Sequence, residues 1–214
     1  MNLPFTQPQF FAVFARYNEG VMPAQLALLL LGVSAYGALV VRRRDSDRVI
    51  SAILAGLWAW GGLVYHRMYF SDVDPAAGMF ALLFLAGAIA FAWAGVVRRR
   101  MVFDARRRSH RVAGHALIAY ALAGYPLLSL VLGRAYPEVP TFGLPCPTTI
   151  FTIGVLAFLS APLPRYVFIV PVAWALVGTQ AAFLLGVYED LGLIVAALAG
   201  VWLAFDRPAK ATPA

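Results

Sequence analysis

Apolar residues in this chain fall in seven long uncharged runs: 21–41, 49–65, 76–97, 112–133, 147–164, 166–188 and 191–205. About 18 or more such residues in a helix reach across the hydrocarbon core of a bilayer. The last run has only 15 residues, so its helix is expected to extend into Glu189–Asp190 and Asp206. Only one run contains a histidine, His115. The pattern predicts an all-α polytopic membrane protein, a bundle of seven transmembrane helices over residues 21–206. Residues 1–20 read differently. Thr6-Gln7-Pro8-Gln9 fits a capping box, and Phe10, Phe11, Val13 and Phe14 then interleave with Arg16 and Asn18. This predicts a short amphipathic helix lying in the outer membrane interface. Residues 207–214 form a polar tail.

Composition agrees: 62% of residues are hydrophobic, 13% are charged, and the mean hydropathy is +0.77. The net charge of +7 changes the picture only through its placement. Threading the runs puts 14 of 17 Lys and Arg and four of ten acids on one side, a net +10 there and −3 on the other. The positive-inside rule then sets the N-terminus outside and the C-terminus in the cytoplasm. The arginine loops at 42–48 and 98–111 are expected to meet anionic lipid head groups rather than nucleic acid. Tyr17, Tyr65, Tyr69, Tyr136 and Tyr188 at outer helix ends, and Trp93, Tyr166 and Trp202 at inner ends, read as aromatic belts. No cationic region precedes an apolar one at the N-terminus, so no signal peptide is expected.

The candidate chemistry gathers at the outer level. The loop from Tyr136 to Thr149 holds four prolines and a glycine before a helix that starts near Cys146-Pro147. Such a stiff loop is tolerated at membrane depth where it is buried or lines a cavity. Gln25, His66, Glu138, Cys146, Thr148, Thr149, Gln180, Glu189 and Asp190 are the candidate ligand or substrate residues. Glu189 and Asp190 also fit the role of helix caps. Cys146, His66 and Met22 together would suit a soft metal, although no His-x-x-x-His or Cys-x-x-Cys spacing supports one. A single cysteine leaves no partner for an intramolecular disulfide. No catalytic set emerges, and no cofactor is expected beyond that metal. The only lysine, Lys210, lies in the tail, which excludes a retinal Schiff base. No carboxylate, lysine or arginine falls within a run, which argues against a proton pump. Pro126 and Pro171 are expected to kink their helices, and Gly56, Gly61, Gly62, Gly87, Gly95, Gly192 and Gly200 to allow close packing.

A three-plus-one-plus-three repeat is also possible. Met22-Pro23 and Cys146-Pro147 open the first and fifth runs. Trp58 and Trp174 each stand 16 residues before a carboxylate, Asp74 and Asp190. Parallel repeats of this kind occur in transporters.

The segments Phe10-Phe11-Ala12-Val13-Phe14-Ala15-Arg16-Tyr17-Asn18, Pro140-Thr141-Phe142-Gly143-Leu144-Pro145-Cys146-Pro147-Thr148-Thr149 and Glu189-Asp190-Leu191-Gly192 resemble those of a family of bacterial multi-pass membrane proteins of unknown function. The resemblance extends over nearly the whole chain and implies an inner-membrane location. It implies no activity. Met22 departs from it, because an aromatic residue is expected there. The leading functional expectation is a small solute bound or transported through a site open to the outer face. A thiol- or metal-handling protein using Cys146, and a non-catalytic membrane partner or assembly factor, are the alternatives. The sequence is silent on oligomeric state.

Overall fold

The computed structural model describes residues 4–105, 107–160 and 163–206, and its regular structure there is helical. Eight helices follow in order: α1 Gln7–Gly20, α2 Ala24–Val41, α3 Ser46–Asp72, α4 Ala77–Val97, α5 Arg108–Val131, α6 Pro145–Leu156, α7 Arg165–Leu184 and α8 Tyr188–Phe205. Six of them, α2 to α5, α7 and α8, are long and apolar enough to cross a membrane. The expected tail at 207–214, with Lys210, lies outside the described residues.

The fifth expected span differs. α6 has only 12 residues, about 18 Å of helix, well short of a hydrocarbon core of about 30 Å. All but one of its residues are buried, because α5, α7 and α8 surround it and α2 and α3 touch it. A helix that is apolar all round belongs inside. Thr149 and Thr152 suit that interior because their hydroxyls donate to carbonyls four residues back, Pro145 and Thr148, at 2.8 and 2.7 Å. From 157 to 160 the chain continues without a helix. Leu159 forms an isolated antiparallel bridge with Phe103, and the Phe158 carbonyl accepts from Ala105 N–H at 2.9 Å. Irregular backbone at this depth is acceptable because another segment satisfies it. The arginine-rich loop after α4 therefore tucks Met101 and Phe103 into the bundle.

α3 and α4 pack closely. A Cβ on Gly87 would meet the Trp58 ring at 2.7 Å, and one on Gly61 would meet Phe84 at 2.8 Å. Gly56, by contrast, faces open space. From Gly61 to Tyr69 α3 widens into a π-helix, and two consecutive residues, Tyr65 and His66, are both buried there. In α5 a π-helical stretch at Tyr120–Gly124 precedes Pro126 and accommodates its missing N–H. Pro171 falls in the first α-helical turn of α7, after a 3-10 start, so the kink expected there is not required.

The capping box of α1 forms as expected. Thr6 N–H donates to Gln9 Oε1 at 2.8 Å, and Gln9 N–H donates to the Thr6 hydroxyl at 3.5 Å. The apolar face of α1 is buried against protein. Phe5, Phe10, Phe14 and Tyr17 form a second core with Tyr65 and Phe70 over the end of α3. Trp60 Nε1 donates to the Tyr17 hydroxyl at 2.8 Å, and burial holds the Tyr17 phenol far above its ordinary range. Tyr17 and Tyr65 are thus core residues rather than belt residues, whereas Tyr136, Tyr188, Trp93, Tyr166 and Trp202 are exposed. At the opposite, arginine-rich end, Asp206 accepts from His110 Nε2 at 2.9 Å and from Arg107.

Candidate functional site

Three residues singled out from the sequence, His66, Cys146 and Gln180, border one cavity of about 350 Å³ beneath α1. Its walls are aromatic. Phe5, Phe10 and Phe14 come from the α1 region, Tyr65 and Phe70 from α3, Phe80 from α4, Tyr125 from α5 and Trp174 from α7. The rim includes Val177, Gln180 and Leu184, which are exposed along one face of α7. Among the described residues no lysine or arginine lines the cavity, and Asp74 is the one carboxylate in its wall.

The floor carries polar atoms without partners. His66 is fully buried, and neither ring nitrogen has a hydrogen bond. Its ring stands edge-on to Phe84 and Trp174, with centroids 4.7 and 4.8 Å away. Trp174 Nε1 is buried and has no oxygen or nitrogen partner, with only the Cys146 sulfur beside it. A Cβ placed on Gly178 would lie 3.4 Å from Cys146 Sγ and 3.5 Å from that indole nitrogen, so the sulfur and the N–H share the floor. Leaving such groups unpaired in a buried site costs about 1–3 kcal/mol each, which is why native proteins rarely do so without a reason.

Asp190 lies behind the floor. Its carboxylate accepts from the Tyr125 hydroxyl and lies beside the Cys146 thiol. Glu189, fully buried, accepts twice from Arg134 at 2.7 and 2.9 Å. Arg134 also donates to the Gly186 carbonyl at 2.5 Å and lies 4.4 Å over the Phe11 ring. This guanidinium therefore ties the loop after α5, the start of α8 and α1 together. The expectation that Glu189 and Asp190 cap the last helix is corrected: neither side chain caps α8, because each is bonded inside the fold. The Glu189 carboxylate is buried at this helix start, and Arg134 compensates its charge.

The other candidates lie elsewhere. Gln25 donates to the Asn18 side-chain carbonyl and lies 3.4 Å from the Thr141 hydroxyl. Asn18 in turn donates to Pro137 O and Val139 O at 2.5 and 2.8 Å. That set clasps α1 and the proline-rich loop. Thr148 and Thr149 are buried in α6 away from the cavity wall, Glu138 is exposed on the loop, and Met22 is half exposed and outside the lining. Among the described residues no three His, Cys, Asp or Glu side chains gather to hold a metal ion. The sequence reading overlooked Trp174 and Tyr125 as site residues. A tryptophan standing well inside a run rather than at either end was the available signal.

The fold is that of an all-helical protein with six helices long and apolar enough to span a membrane, which points to a multi-pass membrane protein. The chain belongs to a family of unknown function, DUF6064, whose model matches residues 7–212. Comparison with curated proteins and with solved structures finds no match.

Proposed function

We propose that this protein binds a small, largely apolar solute in the cavity beneath α1, on the outer side of the membrane. The observation that carries the reading is the floor: a fully buried histidine with two unpartnered nitrogens beside an unpartnered indole N–H, at the base of an aromatic chamber. Sites for small molecules are usually concave and apolar with a few convergent polar groups. Binding is favoured over free passage, because Phe84 and Trp58 are stacked behind the floor, with centroids 4.4 Å apart. Passage would need those helices to move.

The test is saturable binding of small ring compounds to protein in lipid nanodiscs, measured against empty nanodiscs. Ala181, in the cavity wall, is replaced by Trp to fill the space. One-to-one binding that Ala181→Trp abolishes is expected. Binding that is absent, or unaffected by Ala181→Trp, rejects the proposal.

A further inference from the structure

We infer that the solute is an uncharged ring compound bearing a hydroxyl group, of about two fused rings, seated with its oxygen between Trp174 and His66. This rests on the binding reading above and names the chemical class.

Size sets the first limit. A cavity of roughly 150 Å³ holds one benzene ring. The chamber here, about 350 Å³, has room for about two. Its aromatic walls favour stacked and edge-to-face contact with a flat partner.

Charge sets the second limit. No guanidinium or ammonium lines the chamber among the described residues, so a carboxylate or phosphate would be buried without compensation. The aromatic faces and the Asp74 carboxylate in the wall could receive a cation. An ammonium group, however, is a donor only, and it would leave the Trp174 N–H still unfilled.

Hydrogen bonding decides among neutral groups. The indole N–H needs an acceptor. A neutral histidine offers one donor and one bare acceptor nitrogen, and which nitrogen faces the chamber depends on the tautomer. A hydroxyl serves either case. It accepts from Trp174 and then donates to the bare nitrogen of His66, or accepts a second bond from its N–H. A carbonyl serves only the second, and a hydrocarbon serves neither. The Cys146 sulfur lies beside the indole N–H, but sulfur is a weak acceptor that a hydroxyl oxygen readily displaces.

The experiment compares 2-naphthol, naphthalene and 2-naphthylmethylammonium on the full chain in nanodiscs by calorimetry. The indole N–H resonance of Trp174, assigned through Trp174→Phe, is followed in parallel. We expect 2-naphthol to bind about ten- to a hundredfold tighter than naphthalene, the worth of two hydrogen bonds. The Trp174 N–H resonance should shift downfield with 2-naphthol and not with naphthalene. Trp174→Phe and His66→Phe should each cut the naphthol-to-naphthalene affinity ratio about tenfold. Equal affinity for naphthol and naphthalene, or tightest binding of the ammonium compound, overturns the hydroxyl class. If that binding is still abolished by Ala181→Trp, the binding reading survives. No saturable binding of any probe rejects both.

Discussion

Two tryptophans flank Phe84, and only one has an oxygen partner for its indole N–H. Trp58 stacks on Phe84 with centroids 4.4 Å apart, and its Nε1 donates to the Thr152 hydroxyl at 2.9 Å. Trp174 meets the same ring edge-on at 4.9 Å, and its Nε1 has no oxygen or nitrogen partner. On the Trp58 side, the space is closed by α4 and α6, with Gly87 brought against the indole and Thr152 supplied by the buried helix. On the Trp174 side, the neighbours are His66 and the cavity. The two sides of one phenylalanine thus show a region optimised for packing and a region left open. Open and polar-unsatisfied structure inside a stable fold is where function is expected, because it carries a stability cost that packing alone does not explain.

The comparison can be broken or sharpened by substitution, with unfolding stability in mixed micelles as the measurement. The largest effect is expected from Glu189→Ala. It leaves the Arg134 guanidinium, only 15% exposed, without its buried carboxylate, at a loss of about 3–5 kcal/mol. A loss under about 1 kcal/mol would mean that the open side does not rely on this ion pair for its shape. Next comes Thr152→Val. It keeps the shape and orphans the Trp58 N–H, which should cost about 1–3 kcal/mol. Trp174→Phe should differ in kind. It removes an N–H that is already unpartnered, so stability should stay within about 0.5 kcal/mol or rise. Equal losses for Thr152→Val and Trp174→Phe would erase the contrast.

The smallest effect is expected far from both tryptophans. The hydrogen bond from His110 is the chief cause holding the Asp206 carboxyl below its ordinary value of 3.8, with Arg107 adding to it against a desolvation cost. A depressed carboxyl stabilises the fold above its unfolded-state value and ceases to do so as pH falls through the folded one. Stability measured below pH 3.8 should therefore fall with acid in the wild type and less steeply in Asp206→Asn. Identical acid profiles would show that this contact is thermodynamically silent. It is a half-buried contact at the end of the bundle, still open enough to solvent for its contribution to be small.

Much of the helical layout was legible in the runs themselves. The six long helices follow them, and Thr6 with Gln9 marked the start of α1 to the residue. The fifth run misled because a uniformly apolar stretch carries no length signal for helix: 147–164 reads as one span, yet the helix stops at Leu156 and residues 158–160 pair with the loop at 102–105. The site was only partly legible. His66, Cys146 and Gln180 stood out as polar residues at one level, and they share the cavity. Gln25 stood out for the same reason but serves the Asn18 clasp. Polar type at a given depth does not say which neighbour the side chain will meet. Trp58 and Trp174 occupy matching places in the run pattern, each 16 residues before a carboxylate, yet Asp74 accepts from a nearby backbone N–H at 2.8 Å while Asp190 is drawn inside to Tyr125.

The sequence by itself determined the helical class, the approximate limits of the six long apolar helices and the cap of α1. Each of these is a local or one-dimensional property: helix length, hydrophobicity and a three-residue hydrogen-bonding motif. Tertiary structure alone decided that α6 is encased, that Glu189 finds Arg134 across 55 residues, and that His66 and Trp174 meet at a floor with their nitrogens unfilled. Those outcomes depend on which helix faces pack together, and an apolar run of nearly uniform hydrophobicity does not encode its facing in any periodic signal.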